Sequence, residues 1–447
     1  MMHEMRGWTG AIAAALVVAA AGGCATGRVA PAAGGAPASS SELAALHAAV
    51  RADGIEKRTF THADFWGVAG PVIDAAPALA REEIGRSVEG RPLYLVRFGS
   101  GPTRVLLWSQ MHGDESTATM ALADLFRYLG AESADARTQR LAERLTVWVI
   151  PMLNPDGAER FQRRNALGID VNRDARELAT PEARALKQVR DRFQPDFGFN
   201  LHDQNVRTRV GDQDRTAAIA LLAPAVDEAR SDPAVRVRAK RLAAVIRDAV
   251  EPLVPGHVAR YDDTFNPRAF GDLMGAWGTS TVLIESGGWR DDPQKQHLRK
   301  ANFVALVAAL ESIATESYAD ADLARYESLL ENGRPANDLL IRGATIVLPG
   351  AAPFRADLAI DYAVPLERRG GRIADVGDLA GYSARDTVDA TGLFLHPTAD
   401  ALSAGAGGVA VLRTGAPAAL VARRSERADA GEPVWVIEGG VVQRPAN

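Results

Sequence analysis

The stretch Val105-Leu-Leu-Trp-Ser-Gln-Met-His-Gly-Asp-Glu115 decides the fold. It opens with four apolar residues, the length of a short buried strand, and the residues from Thr117 to Leu129 then carry apolar side chains at helical spacing. Two more apolar runs read as strands, at Leu145–Ile150 and at residues 280–284, and the second leads directly into Glu285. Further helices are predicted over residues 181–193, 233–250 and 297–314. Strands that alternate with helices predict an α/β fold, with a mostly parallel sheet covered by helices on both faces.

The pattern of apolar residues changes after about Tyr318. From Asp338 onward, short strand-like runs are separated by glycines, and long helical periods are absent. The predicted strands here are residues 339–341, 345–348, 358–360 and 434–437. We therefore predict an α/β domain over residues 43–318 and a small β-rich domain over residues 336–447.

The N-terminus has the pattern of an export signal. Arg6 precedes an apolar run over residues 11–21, which is short for a membrane span but long enough for the core of a signal peptide. The run ends in Ala21-Gly-Gly-Cys24, which resembles a bacterial lipobox, and Cys24 is the only cysteine of the chain. We predict a lipoprotein signal peptide over residues 1–24, lipidation of Cys24 and a flexible linker over residues 25–42. The protein would then face the periplasm or be anchored to the outer membrane; a plain secretory signal is the alternative.

The bulk composition is that of an ordinary globular protein. Of 447 residues, 47% are hydrophobic and 24% are charged, which argues against overall disorder and against a polytopic membrane protein. The formal net charge of −5 gives no sign of the basic surface that nucleic-acid binding requires. We therefore expect no nucleic-acid partner.

A candidate metal site stands out among the eight histidines. His112 and Glu115 lie three residues apart in the turn that follows a buried strand, where both side chains can reach one cation. His202 also ends an apolar segment, Phe197-Gly-Phe-Asn-Leu-His-Asp-Gln204. Two imidazoles and one carboxylate are the ligand set of open catalytic zinc sites.

Four other motifs accompany these ligands in order along the chain. They are Gly85-Arg-Ser-Val-Glu-Gly-Arg91, Asn154-Pro-Asp-Gly157, Arg163-Arg-Asn-Ala-Leu-Gly-Ile-Asp-Val-Asn-Arg173 and Thr281-Val-Leu-Ile-Glu-Ser-Gly-Gly288. With the His-x-x-Glu pair and the later histidine, the chain from about residue 60 to 315 resembles the M14 zinc carboxypeptidases. The resemblance implies a mixed eight-stranded sheet between helices.

The resemblance also implies a catalytic centre. His112, Glu115 and His202 would bind one Zn²⁺ per chain, and Glu285 would be the general base. Arg163 would stabilise the oxyanion, with its neighbour Arg164 as the alternative.

Three further residues are implied to bind the substrate. Asn172 and Arg173 would hold the terminal carboxylate of a peptide, since the guanidinium fork matches a carboxylate. The alternative for Arg173 is a buried salt bridge, for example to Asp170. Tyr261 is the candidate for the tyrosine that caps the substrate in this family, and an ordinary loop tyrosine is the alternative.

Two positions depart from the family pattern towards acidity. Asp114 precedes Glu115, and Asp174 follows Arg173 where many members have asparagine. These residues predict a more acidic site that prefers a basic or amine-bearing substrate.

The C-terminal region resembles a different family. Residues 338–347, 371–377 and 389–394 look like the small β domain that accompanies amidohydrolase barrels. His396 is followed by Pro397 and Thr398, so the His-x-His metal pair of those enzymes is missing. We expect a scaffold without a second active site.

The sequence thus predicts an exported zinc metallocarboxypeptidase that acts on peptides and is held to a membrane by an N-terminal lipid. Three alternatives stay open. They are a cell-wall hydrolase or amidase acting on muropeptides, an aspartoacylase-like deacylase, and a surface binding protein without enzymatic activity.

Overall fold

The structure is a computed structural model that describes residues 38–131 and 135–443. The signal peptide, Cys24 and most of the predicted linker lie outside the described residues. The helices of the described chain are α1 (Ser40–Val50), α2 (His62–Ala75), α3 (Thr117–Leu129), α4 (Ala136–Arg144), α5 (Pro155–Glu159), α6 (Pro181–Phe193), α7 (Ala234–Val250), α8 (Phe270–Ala276), α9 (Gln296–Thr315) and α10 (Ala324–Glu327). Within this part of the chain, none of the helices combines the length and apolar character that a membrane span needs.

The first part of the chain forms a mixed sheet. Its strands, with a short β6 that lies outside it, are β1 (Leu79–Arg86), β2 (Pro92–Phe98), β3 (Thr103–Ser109), β4 (Leu145–Ile150), β5 (Phe197–Asp203), β6 (Arg209–Val210), β7 (Ile219–Leu222), β8 (Val258–Arg260) and β9 (Ser280–Ser286). Eight strands pair in the order β1-β2-β4-β3-β5-β9-β7-β8. The central strands β4, β3, β5 and β9 are parallel, and antiparallel pairings join β1 to β2, β2 to β4 and β7 to β9.

Both faces of this sheet are buried under helices. Along β3, Val105 and Leu107 belong to one hydrophobic core, and Leu106 and Trp108 belong to the core on the other face. Helices α3, α7 and α9 supply apolar residues to the first core, and α6 and α8 supply them to the second. Because both faces are covered, β3 reads as a continuous apolar run. The predicted fold, a mixed eight-stranded sheet between helices, is confirmed.

The topology brings the carboxyl ends of three strands to one edge of the sheet. β3, β5 and β9 are adjacent and parallel, so the segments that follow Ser109, Asp203 and Ser286 leave the sheet on the same side. His202 on β5 lies opposite Glu285 on β9 in the register of the ladder. This edge is where an open α/β sheet places its binding crevice.

A second sheet follows in the C-terminal part. Its region contains β10 (Asn332–Gly333), β11 (Asn337–Ile346), β12 (Phe354–Val364), β13 (Arg369–Gly377), β14 (Ala384–Asp389), β15 (Phe394–Pro397), β16 (Leu402–Ala404), β17 (Ala410–Leu412), β18 (Leu420–Arg423), β19 (Trp435–Glu438) and β20 (Val441–Gln443). The main strands pair in the order β13-β12-β11-β15-β18-β19-β20, with β14 beside β11, around a hydrophobic core of their own. The β-rich character predicted here is present, and the boundaries 43–318 and 336–447 stay predictions.

Candidate active site

The turn after β3 places His112 and Glu115 at the edge of the sheet. Gln110 begins the turn at a φ of +50°, and its side-chain amide donates to the Gly113 carbonyl at 2.9 Å. A Cβ on Gly113 would lie 2.0 Å from the carbonyl carbon of Gly157, so only glycine permits this close approach. Asn154 donates from the other side, to the Met111 carbonyl at 3.2 Å. The Asn-Pro-Asp-Gly motif therefore supports the metal-binding turn.

His112, Glu115 and His202 converge on one point. Their ligand atoms all lie within 4.8 Å of one another, and the three residues are 2%, 7% and 2% exposed. One carboxylate oxygen of Glu115 lies 2.8 Å from Nδ1 of His112, and the other lies 2.6 Å from Nδ1 of His202. The structure thus brings together the three ligands predicted from the sequence.

Both ring nitrogens of His112 lie against carboxylates. Nε2 of His112 lies 3.0 Å from Asp170, which can only accept, so this nitrogen carries the proton. Nδ1 lies 2.8 Å from a Glu115 oxygen, so a positive charge must lie between them, either a second proton on the ring or a bound metal ion. Burial lowers the pKa of His112, but Glu115 and Asp170 outweigh it and raise that pKa to about 9. A divalent metal supplies the charge that the donor set requires, and the residues fit zinc.

Asp170 is a site residue whose role the sequence reasoning missed. It was considered as a salt-bridge partner of Arg173, but its carboxylate contacts His112 and Arg163 instead. Burial opposes ionisation of Asp170, yet the bond from His112 and the charge of Arg163 hold its pKa well below the usual range. The signal that could have identified it is its position two residues before Asn172 in the motif that ends at Arg173.

Arg163 lies directly beside the ligand cluster. Its guanidinium is 3.2 Å from Glu115, 2.9 Å from Asp170 and 3.0 Å from Nδ1 of His112. Its side chain is 44% exposed, so it can face a substrate while it contacts the site. The neighbouring Arg164 instead donates to the Gly168 carbonyl in an exposed turn. Of the two predicted candidates, only Arg163 reaches the site.

Glu285 faces the same point from the end of β9. It is 7% exposed, and its Oε2 has no hydrogen-bond partner within the described residues. Burial, followed by the charge of Glu115, raises the pKa of Glu285 well above that of a free carboxyl group. A buried, unpaired carboxylate beside a metal cluster is suited to exchange protons with a reacting group.

A cleft of about 700 Å³ opens from the ligands and contains Asn172, Arg173 and Tyr261. Arg173 forms no salt bridge within the described chain; it donates to the Asn172 carbonyl at 3.0 Å, and Asn172 accepts from the Phe270 amide at 3.1 Å. The charge of Glu285, with a smaller contribution from burial, raises the pKa of Tyr261 to about 12, and both residues line this cleft. All three predicted substrate-binding residues therefore line the cleft.

Asp114 and Asp174, the two acidic residues that depart from the family pattern, lie in different places. Asp174 is 4% exposed and accepts bonds from Ala179 and Thr180, where it supports the start of α6. It does not line the cleft, so the prediction that Asp174 makes the site more acidic is wrong. Asp114 lines a smaller cavity of about 320 Å³ that also borders Glu115 and Arg163.

One end of the cleft carries two polar residues that the sequence reasoning missed. Asp272 accepts a bond from the Asn266 amide at 2.9 Å and has no salt bridge in the described residues. Asn200 is 1% exposed, and its Oδ1 lacks a hydrogen-bond partner among these residues. Both line the cleft, together with Leu222, Pro224 and Leu283. Asn200 lies two residues before His202 in a segment that was examined only for its histidine, and Asp272 lies in no motif, because tertiary packing alone brings the start of α8 beside Asn200.

Comparisons with known proteins agree with this geometry. The sequence model of the zinc carboxypeptidase family, Peptidase_M14, matches residues 73–210, a range that includes the three ligands but ends before Glu285. Carboxypeptidase 2 of Trichophyton tonsurans is 34% identical over 100 residues, 22% of this chain and 18% of the relative. Carboxypeptidase D of Mus musculus is 33% identical over 175 residues, 29% of this chain and 13% of the relative. The chain thus spans less than a fifth of the length of these relatives.

Among solved structures, the chain is similar to a metallo-carboxypeptidase from Pseudomonas aeruginosa. It is 19% identical, with a TM-score of 0.47, and the likeness covers 59% of this chain and 71% of that one. The prediction from the motifs is confirmed over the matched range: residues 73–210 match the zinc carboxypeptidase family M14.

Proposed function

We propose that this protein is a zinc-dependent metallocarboxypeptidase that hydrolyses the C-terminal peptide bond of its substrates. The observation that carries the proposal is the position of Arg173. Its guanidinium has no carboxylate partner within the described chain, and it lines the same cleft as the metal ligands and Glu285. A cation in that position matches the one charge that every peptide carries at its C-terminus.

The zinc ligands, Glu285 and Arg163 would each have a separate role in peptide hydrolysis. A zinc ion held by His112, Glu115 and His202 would polarise the scissile carbonyl and acidify a water molecule. Glu285 accepts the proton of that water as its oxygen bonds to the carbonyl carbon. Glu285 then gives the proton to the amine that leaves when the C–N bond breaks. Arg163 stabilises the negative charge that develops on the carbonyl oxygen.

The substrate's last residue would lie between Arg173 and the polar end of the cleft. Asn172 and Arg173 would bind the terminal carboxylate, and Tyr261, which lines the same cleft, would contact the substrate through its phenol. Leu222 and Leu283 would contact the aliphatic part of the last side chain, and the Asp272 carboxylate would accept hydrogen bonds at its end. This combination favours a basic C-terminal residue, lysine or arginine.

Two finer points remain proposals from the sequence. Muropeptides carry free C-terminal carboxylates, so a cell-wall substrate is compatible with the Arg173 clamp. Export with lipidation of Cys24 would bring the enzyme to such substrates. An aspartoacylase-like deacylase is disfavoured, because the Asn-Pro-Asp-Gly and Glu-Ser-Gly-Gly motifs are those of the peptidases.

The test of the catalytic assignment is Glu285→Gln. The amide cannot accept a proton from water, so turnover of a C-terminally free peptide should fall roughly 10²–10⁴-fold. Zinc content should stay at one equivalent per chain, because Glu285 is not a ligand. The matched control is Glu182→Gln, at another buried glutamate with a raised pKa, which lies outside the cleft and should keep near wild-type turnover. If the Glu285→Gln enzyme retains more than about a tenth of the wild-type rate, Glu285 is not the general base.

A further inference from the structure

The segment that joins the two sheets runs along the loop that follows His202. We call residues 203–208 the His202 loop and residues 330–336 the connecting segment. The backbone amide of Ala336 donates to the Arg207 carbonyl at 2.9 Å, so the two run side by side. The connecting segment also contributes Asn332 and Gly333 to the lining of the cleft. The C-terminal part of the chain therefore reaches the active site.

The first anchor of the His202 loop is a hydrogen bond between two amides. Nδ2 of Asn332 donates to Oε1 of Gln204 at 2.6 Å. The orientation of Gln204 is set independently, because its Nε2 donates to the Ala217 carbonyl at 3.3 Å. The backbone amide of Gln204 in turn donates to the carbonyl of Ser286, the residue after Glu285, at 3.0 Å. Asn332 is thus two hydrogen bonds away from the strand end that carries the general base.

The second anchor is a buried ion pair. Two guanidinium nitrogens of Arg207 lie 2.9 and 2.6 Å from Oδ2 of Asp338, which is 1% exposed at the start of β11. Arg385 of β14 approaches the other oxygen of this carboxylate at 3.3 Å. Arg207 also donates to the carbonyl of Tyr362 on β12 at 2.6 Å. The loop is therefore fixed directly to two strands of the second sheet, β11 and β12, and Arg385 of β14 supports the carboxylate that holds it.

The third anchor is the pairing of β10 with β6, which directly follows the His202 loop. A Cβ on Gly333 would lie 1.7 Å from the carbonyl oxygen of Gly211, so this pairing requires a glycine at position 333. Close backbone contact here leaves the connecting segment little freedom to move away from the loop.

The anchored loop is part of the site itself. The amide of Asp203, at the start of the loop, donates to the metal ligand Glu115 at 3.1 Å, and Gln204, Asn205 and Thr208 line the cleft. We propose that the second sheet shapes the substrate cleft by clamping the His202 loop, with Asn332 as a positioning residue that acts through Gln204. This inference rests on the proposed carboxypeptidase function and assigns the C-terminal sheet a role in it.

The test compares Asn332→Ala, Gln204→Ala and the double variant in the full-length protein. Loss of one hydrogen bond should raise KM for a C-terminally free peptide about 3- to 10-fold. We expect kcat within about twofold of wild type, with unchanged zinc content, because the metal ligands keep their own supports. Both single variants break the same hydrogen bond, so the KM of the double variant should be no higher than that of the single variants.

The matched control is Asn337→Ala. Asn337 also lies in the C-terminal part and donates its amide to a side-chain acceptor, Asp361, at 3.1 Å, but it does not line the cleft. Its KM should equal that of wild type. An Asn332→Ala enzyme with wild-type KM, or an equal loss in Asn337→Ala, would overturn the inference.

A second readout is independent of turnover. Amide hydrogen exchange in residues 203–208 should become faster in Asn332→Ala and stay unchanged in Asn337→Ala. If wild type cleaves no C-terminally free peptide, the proposed function fails, and exchange alone then decides whether the clamp exists. Equal protection of this loop in wild type and Asn332→Ala would contradict it.

Discussion

At the scale of single residues, two carboxyl groups at the centre of the site, those of Glu115 and Glu285, differ in their surroundings and therefore in their pKa values. Glu115 lies between two imidazoles, which hold its pKa well below the usual range despite burial. Glu285 lacks such partners, and burial together with Glu115 raises its pKa. Two carboxyl groups whose environments separate their pKa values suit different roles, one as a ligand and one as a proton carrier.

Asp272 gives a residue-scale prediction that depends on pH. Burial raises its pKa to about 6, so the side chain is neutral well below this pH and charged above it. A cationic substrate side chain gains from the charged form only. The ratio of kcat/KM for a lysine-terminated peptide over a leucine-terminated one should therefore rise as pH increases from about 5 to 7. Asp272→Asn should lower the ratio and make it independent of pH.

The control for this experiment is Asp262→Asn, since Asp262 also lines the cleft but is exposed. It should preserve the rise of the ratio with pH. If wild type shows no preference for lysine at any pH, Asp272 has no part in specificity, while the carboxypeptidase assignment is unaffected.

At the scale of elements, the sequence predicted those with strong periodicity. The strand Leu145–Ile150 and the helices Thr117–Leu129 and Pro181–Phe193 lie where the pattern placed them. Residues 339–341 and 345–348 were predicted as two strands, but residues 339–341 and 345–346 lie in the single strand β11, which ends at Ile346. Gly343 lies within it at a φ of +68°, where the pairing with β12 is irregular, so the glycine marks a bulge instead of an end.

Other elements had no signal that a local pattern could supply. The strand Leu79–Arg86 has mostly exposed or half-buried residues, and Val258–Arg260 is only three residues long. Helix α8 has seven residues, although it carries Asp272 into the cleft. Such elements form because the sheet and its neighbours hold them, which a single sequence does not reveal.

The turn between β3 and α3 gives an element-scale prediction. A methyl group on Gly113 would overlap the backbone at Gly157, so Gly113→Ala must displace the turn that presents His112 and Glu115. Zinc affinity, measured by competition with a chelator, should fall roughly 10–100-fold, as it does when ligand orientation is lost. The control is Gly67→Ala, on an exposed face of α2 with open space around it, which should keep wild-type affinity. Equal affinities in both variants would show that the turn tolerates a side chain.

At the scale of the whole molecule, distant segments are joined by buried polar contacts. Arg299 of α9 is fully buried and binds Asp124 of α3 at 2.5 and 2.7 Å. It also donates to the carbonyl of Ala52, just beyond α1. The clamp of the second sheet on the His202 loop has the same character. These long-range contacts could not be predicted from the sequence, because each partner alone looks like an ordinary charged residue.

The catalytic centre was more predictable than the rest of the site. Six motifs in order pointed to the three ligand residues, to Glu285 and to the pair Asn172 and Arg173, and the structure places all of them around one cleft. They could be predicted because zinc chemistry restricts the residue types that can serve. The end of the cleft that surrounds Asp272 and Asn200 was not predicted, since side-chain recognition uses ordinary residues brought together by the fold.

The central claim is that the cleft binds a peptide by its free C-terminus, and Arg173 tests it most directly. The measurement is kcat/KM of wild type and Arg173→Ala on one peptide with a free C-terminal carboxylate and on its amidated form. Amidation removes the partner of a partly buried cation, so wild type should lose on the order of 10²-fold or more on the amide. Arg173→Ala should be slow on the free acid and should lose most of this discrimination. Similar wild-type rates on both peptides would contradict the carboxypeptidase account, even with zinc bound and Glu285 essential.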